Sequence, residues 1–206
     1  EFVVHPYCWP HHFGEGQRVQ SPEEHKLQDI YKTATELSGL PLWNGEYGFA
    51  IYMNEPMNGK PSKRRADYMA RSILLTAASP NVRRIQYYAF WPDGTEGKGT
   101  YDQWFWPNPL PTVAAYAATA RFLNGADKPA ELKINERVKM FTFEREDGGS
   151  LAAVWAPGDK PIKMTLKDRG DRRFYDVMGN EMTVSDTVEL GGSPVYIVSS
   201  KKASAM

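Results

Sequence analysis

The order of apolar runs in this sequence predicts an α/β region built from three βα units, followed by an antiparallel β-sandwich. Two observations carry the prediction. Up to about residue 126, short apolar runs alternate with segments of helical periodicity, the pattern of βαβ units and a parallel sheet. Beyond it, short alternating runs are divided by Asp147-Gly148-Gly149, Pro157-Gly158-Asp159, Gly179-Asn180 and Gly191-Gly192, the turn-separated pattern of antiparallel strands.

Residues 1–7 form an apolar run that closes in His5-Pro6-Tyr7 and reads as the first strand. A loop of large side chains follows, Cys8-Trp9-Pro10-His11-His12-Phe13-Gly14. Ser21-Pro22-Glu23-Glu24 supplies an N-cap, a Pro at the first helical position and a Glu three residues after the cap, so a helix is expected from there. Leu27, Ile30, Tyr31, Ala34 and Leu37 give it one apolar face, and Gly39 stops it. Residues 42–47 read as the second strand. Residues 62–78 read as the second helix, with Ala66, Met69, Ala70, Ile73, Leu74 and Ala77 on one face. Residues 82–90 form the third strand and lead into Trp91-Pro92-Asp93-Gly94. After the aromatic loop Tyr101-Asp102-Gln103-Trp104-Phe105-Trp106-Pro107, an Ala-rich third helix spans 111–123 and ends at Gly125. The expected domains are 1–126 and 127–200, with 125–131 as the boundary and 201–206 as a tail.

Composition narrows the function. Twenty-five basic residues balance 25 acidic ones, so no long-range field recruits nucleic acid or an anionic membrane, and neither is expected as a partner. No run approaches the roughly 18 apolar residues of a membrane-spanning helix. The single Cys8 permits no intrachain disulfide. Aromatic residues make up 13% of the chain, including six Trp and eleven Tyr; flat rings with polar edges suit surfaces that hold sugars. The chain begins Glu1-Phe2-Val3-Val4, inside an apolar run and without an initiator Met, and reads as a cut end. A secreted or periplasmic location is expected if the full-length protein carries a signal peptide.

One carboxylate stands out. In Leu40-Pro41-Leu42-Trp43-Asn44-Gly45-Glu46-Tyr47-Gly48-Phe49 a short apolar strand ends in Glu-aromatic-Gly, which presents Glu46 at the rim of a sheet. An ordinary solvated strand-end carboxylate is one reading. A catalytic group at the carboxyl edge of a parallel α/β barrel is the other. No Gly-rich turn follows any strand, so a nucleotide-binding sheet is not indicated. Three parallel units then make either another open sheet or the last three eighths of a (β/α)8 barrel.

His5-Pro6-Tyr7, Pro41-Leu42-Trp43-Asn44-Gly45-Glu46-Tyr47-Gly48, Ala66-Asp67-Tyr68-Met69-Ala70-Arg71, Tyr87-Tyr88-Ala89-Phe90-Trp91-Pro92-Asp93-Gly94 and the helix of 111–126 together resemble the carboxyl-terminal part of a clan A retaining glycoside hydrolase. The likeness is to the family 39 or family 5 type, a TIM barrel followed by a small β-sandwich. It implies that the three strands are the sixth, seventh and eighth of the barrel and that Glu46 is the nucleophile of a β-glycosidase. Gly45 departs from the pattern, in which a Thr commonly precedes this Glu. The chemistry requires two carboxyl groups roughly 5 to 5.5 Å apart, one attacking the anomeric carbon and one protonating the leaving oxygen. Tyr7, on the neighbouring strand, is the expected hydrogen-bond donor to Glu46, and Trp91 the expected platform under the reacting sugar. His5, Trp9, His11 and Trp104 are further candidates for contact with a carbohydrate substrate. Core packing of Tyr7 and Trp91 is the plain alternative.

The resemblance places the acid/base in an Asn-Glu pair on the fourth strand, upstream of this sequence, so the missing amino-terminal part of the barrel is a candidate partner and the isolated chain is expected to be weakly active or inactive. Asn54-Glu55-Pro56 also spells that pair. Either it is a coincidence in the loop after Glu46, or residues 49–55 are themselves that strand; the second placement leaves Glu46 unexplained. His5, His11 and His12 lack the spacing of a metal site, and no cofactor is expected. Cys8 has no signature of a thiol hydrolase around it. The rival from another class is a non-catalytic carbohydrate-binding or structural fragment, in which the tryptophans hold glycan and Glu46 does no chemistry.

Overall fold

The computed structural model describes residues 1–7, 20–48, 60–88, 104–105, 108–158, 160–166 and 170–201. Its contacts divide the chain into two compact units, Glu1–Val113 and Ala114–Met206.

The first unit contains β1 (Phe2–Val4), α1 (Leu27–Ser38), β2 (Leu42–Tyr47), α2 (Lys60–Ala77), β3 (Val82–Tyr87), β4 (Trp104–Phe105) and β5 (Asn108–Pro109). β1, β2 and β3 form a sheet in that order, all parallel, with α1 and α2 in the two connections. This is the βαβ pattern expected from the sequence. β4, inside the aromatic loop, pairs antiparallel with β5 just after it, a pairing that periodicity does not announce.

The capping box at Ser21 forms as expected. The Glu24 amide donates to Ser21 Oγ at 3.2 Å and the Ser21 amide to Glu24 Oε2 at 2.8 Å. It closes a separate turn, however. Lys26 has φ 55° and interrupts the run, so α1 starts at Leu27 rather than at Pro22. At its other end Gly39 sits at φ 65° and its amide donates to Thr35 O, the left-handed stop that a residue without Cβ adopts without strain. Leu27 and Tyr31 are buried, whereas Leu37 is 84% exposed, so the apolar face is shorter than its spacing suggests.

α2 differs from the one-faced helix that its apolar positions predict. Residues 65–76 are buried on every side, including Arg65, Asp67, Arg71, Ser72 and Thr76. Such a helix is tolerable only when its polar groups are paired. Arg71 Nε donates to Glu23 Oε1 at 2.8 Å, and its second nitrogen contacts Glu23 Oε2. Ser72 Oγ donates to Tyr68 O and Thr76 Oγ1 to Ser72 O, each one helical turn back.

α3 (Pro111–Leu123) begins in the first unit and runs into the second. β6 (Ala126–Glu131), β7 (Lys139–Arg145), β8 (Ser150–Trp155), β9 (Ile162–Thr165), β10 (Arg173–Tyr175), β11 (Glu181–Met182), β12 (Thr187–Leu190) and β13 (Val195–Ser199) follow. They make a six-stranded antiparallel sheet, β11-β10-β13-β8-β7-β6, and a separate antiparallel pair, β12-β9. Met140, Ala152, Val154, Phe174 and Ile197 from one face of the large sheet share a core with Val188 and Leu190 of the pair. The period-2 alternation sends Phe141, Phe143, Trp155 and Tyr196 to the opposite face, where they are also buried. Ala115, Ala118, Thr119 and Phe122 form the buried stripe of α3. Phe122 stacks on Tyr196 with ring centroids 4.5 Å apart, and Thr119 Oγ1 lies 2.6 Å from the Tyr196 hydroxyl. These contacts bind α3 to the antiparallel sheet, so the division of the chain falls inside the helix rather than after it. β6 occupies the stretch that reads as a linker in the sequence; it is an exposed edge strand with Pro129, which an edge accommodates, and a register shift against β7. Residues 202–206 of the expected tail lie outside the described residues.

Candidate active site

Because β1 and β2 are parallel and pair Phe2 with Leu42, Val3 with Trp43 and Val4 with Asn44, their carboxyl ends share one edge. His5 continues β1 beside Gly45. The Tyr7 amide then donates to His5 O at 2.9 Å, a γ-turn closed around Pro6 that returns the chain toward the edge. From there the Tyr7 hydroxyl donates to Glu46 Oε2 at 2.6 Å. His5 Nδ1 is 3.7 Å from the same oxygen. The side chains of Glu46 and His5 are 41% and 48% exposed, so solvent or a ligand reaches both. Among the described residues Glu46 has no further partner, and both of these contacts are to Oε2.

Gly45 explains itself at this point. A Cβ there would lie 2.5 Å from Val3 Cγ1 and 3.0 Å from His5 Nε2. A Thr at this position would have to displace both side chains, so the departure from the resembled pattern is matched to this particular β1.

The third strand adds a residue that sequence reasoning missed. The Tyr88 amide donates to Tyr47 O at 2.8 Å, extending the β2–β3 pairing by one residue. The Tyr88 ring meets Tyr7 edge-on, centroids 6.5 Å apart at 87°, and is 37% exposed. Its signal lay in its place as the second Tyr of Tyr87-Tyr88 at the strand's carboxyl end. The structure thus brings together His5, Tyr7, Glu46 and Tyr88. Trp9, His11 and Trp91, together with Cys8, His12, Glu55, Asp93 and Asp102, lie outside the described residues. Trp104 belongs to β4, and its side chain is not described. Among the described residues no group of three His, Cys, Asp or Glu is placed to hold a metal ion, and no helix is long and apolar enough to cross a membrane.

Chemically, the edge offers a half-exposed carboxylate with one oxygen held by a phenol and an imidazole nearby. Such a group can attack an electrophilic carbon or accept hydrogen bonds from hydroxyls.

No family model matches the chain, and no curated protein matches it either. Among solved structures it is similar to a family 39 glycoside hydrolase from the gut symbiont Bacteroides cellulosilyticus WH2, with a TM-score of 0.68 and 20% identity, covering 96% of this chain and 44% of that one. It is also similar to a GH51 arabinofuranosidase from Xanthomonas axonopodis pv. citri, with a TM-score of 0.51, 13% identity and coverage of 96% and 52%. The catalytic domain of GH30 xylanase C from Talaromyces cellulolyticus gives a TM-score of 0.50, 13% identity and coverage of 79% and 41%. At these identities the likeness is one of fold alone, shared with these glycoside hydrolases. The chain spans about half of these structures or less.

Proposed function

We propose that this chain is a portion of a retaining glycoside hydrolase that cleaves β-linked saccharides, with Glu46 as its nucleophile. The Tyr7 hydroxyl bonded to Glu46 Oε2 at 2.6 Å, at the carboxyl edge of a parallel sheet, is the observation that carries the reading. Fold likeness alone would not, because one fold hosts many activities. In this reading the three parallel strands are the last three of a (β/α)8 barrel, and the antiparallel unit is its accompanying sandwich.

The first step forms a bond between a Glu46 oxygen and the anomeric carbon and breaks the bond to the leaving oxygen, which takes a proton from a second carboxyl group. Water then attacks the anomeric carbon, gives its proton to that second carboxylate and releases Glu46. Tyr7 holds Oε2 through both steps, which keeps the carboxylate oriented and leaves Oε1 for attack. His5 and Tyr88 flank the place where the sugar would lie, and Trp91 would form the platform beneath it. The second carboxyl is assigned to an Asn-Glu pair on an earlier barrel strand; Glu55 is the alternative within this chain, and Glu55→Gln distinguishes them. A non-catalytic glycan-binding role would be favoured if Glu46 pointed away from His5 and Tyr7, and the Tyr7 bond counts against it.

Chemical rescue tests the assignment. In the complete protein, Glu46→Ala should lower turnover of an activated aryl glycoside at least about 1000-fold, as expected for the loss of a covalent nucleophile. Azide should restore it and give a glycosyl azide of inverted configuration, because only one displacement then occurs. Undiminished turnover in Glu46→Ala, or rescue giving a retained product, would overturn the role.

A further inference from the structure

The face on which Glu46 emerges is not the one that strand alternation gives it. Leu42 and Asn44 of β2 are fully buried, and Asn44 Nδ2 donates to the Tyr31 hydroxyl of α1 at 2.6 Å. Regular alternation would send residue 46 to that same helix-covered side and residue 47 to the other. The opposite occurs. Tyr47 is fully buried with its hydroxyl 2.5 Å from Ser72 Oγ of α2, while Glu46 meets Tyr7. The register shows the cause. Asn44 pairs with Ile85 and Tyr47 with Tyr87, so β2 takes three steps where β3 takes two. One extra residue in β2 reverses the alternation, which is what a bulge does to a strand.

Something must hold that extra residue, since relaxing it would turn Glu46 toward the helices. Ser72 Oγ gives its only proton to Tyr68 O. The Tyr47 hydroxyl is therefore the donor in the Tyr47–Ser72 bond. This places a directional, buried bond one residue after Glu46, where it acts on the strand's rotation. Gly45 supplies the other half, since a Cβ there would strike Val3 and His5.

We propose that Tyr47 is a positioning residue for Glu46, and that its hydroxyl, anchored on Ser72, keeps the carboxylate on the Tyr7 side of the sheet. The consequence for catalysis rests on Glu46 being the nucleophile; the positioning itself does not.

The test reads the Tyr7–Glu46 contact by NMR on the chain with 13Cζ-labelled tyrosine, the Tyr7 signal being assigned with Tyr7→Phe. Glu46→Gln should shift the Tyr7 Cζ resonance in the wild-type background. In Tyr47→Phe that shift should fall to roughly half or less, the coupling expected when the intervening residue sets the contact, and Ser72→Ala should act alike. The resonance of Tyr31, buried in the same parallel unit, should keep its folded-state shift apart from the unfolded tyrosine position and report that this unit is folded. Should either single variant unfold, the Tyr47→Phe/Ser72→Ala double variant, which leaves neither hydroxyl buried alone, carries the same test. An undiminished Tyr7 shift in a folded variant overturns the proposal. That result would leave the nucleophile assignment standing, whereas failed chemical rescue of Glu46→Ala would remove the assignment and leave this coupling.

Discussion

The two units are held together by different means, and the difference bears on where a reactive group can sit. In the antiparallel unit every residue of β8 is buried, from Ser150 to Trp155, and the large sheet covers apolar side chains on both faces. In the parallel unit β2 buries only its helix-facing side, and much of the hold there is polar. Asn44 Nδ2 donates to Tyr31, whose hydroxyl lies 3.0 Å from Thr76 Oγ1. Because Thr76 gives its proton to Ser72 O, Tyr31 is the donor to Thr76, and the chain of bonds has one direction. Arg71 is buried against Glu23. Apolar burial is non-directional and tolerates small shifts. Hydrogen-bonded networks fix orientation, which a carboxylate presented at a rim requires.

Charge and shape substitutions should separate the two. Arg71→Ala removes the guanidinium bonded to the Glu23 carboxylate and should cost about 3 to 5 kcal/mol in urea unfolding. Trp155→Ala in the antiparallel unit should cost a similar amount, about 3 to 5 kcal/mol, through loss of burial and an unfilled cavity. The contrast lies in the rescue. Replacing both members of the pair, Arg71→Met with Glu23→Leu, should recover most of the loss, whereas no single partner change should recover Trp155→Ala. If the double replacement is as unstable as Arg71→Ala, the polar account of the parallel unit is wrong.

Tyr31→Phe is a smaller lesion. It removes the hydroxyl between Asn44 and Thr76 and should cost about 1 to 3 kcal/mol, the range for leaving buried polar groups short of a partner. A change indistinguishable from zero in the unfolding midpoint would mean that the network only accompanies the packing.

The smallest effect is one of pH. Asp171 accepts hydrogen bonds from the Ser200 hydroxyl, the Ser200 amide at 2.6 Å and Ser199 Oγ at 2.9 Å, fastening the end of β13. These donors, the Ser200 hydroxyl first, lower its pKa to about 2, from about 3.9 in an unfolded chain. The folded state therefore binds this proton less readily. The stabilisation is full above about pH 4 and fades as pH falls toward 2. Asp171→Asn should lower the melting temperature slightly at pH 6 and by clearly less at pH 2. An equal difference at both pH values would show that the carboxylate's charge plays no part.

The sequence disclosed the two units because their periodicities differ, and it disclosed Gly39 and Glu46 because a helix stop and a strand-end carboxylate leave local signatures. What it concealed depends on partners distant in the chain. Lys26 breaks the expected helix although Ser21 and Glu24 cap as anticipated; the local pattern marks a turn and not its continuation. β6 reads as a linker because Asp127, Lys128 and Pro129 disfavour a strand, yet pairing with β7 makes it one. Leu37 keeps its helical spacing but not its burial. Tyr88 joins the site through a ring contact with Tyr7, and the face of Glu46 depends on a register shift against β3. Only the place of Tyr88 at the strand's carboxyl end is marked locally; the ring contact and the register shift are not.

The most direct test of the central claim is covalent labelling of the complete protein with a panel of 2-deoxy-2-fluoro glycosides carrying a dinitrophenyl leaving group, which departs without needing a proton. The label therefore reports the nucleophile regardless of where the second carboxyl lies. Peptide mapping should place one fluoro-sugar on Glu46, with labelling abolished by Glu46→Gln. A sugar attached to any other residue, or labelling that persists in Glu46→Gln, would contradict the account.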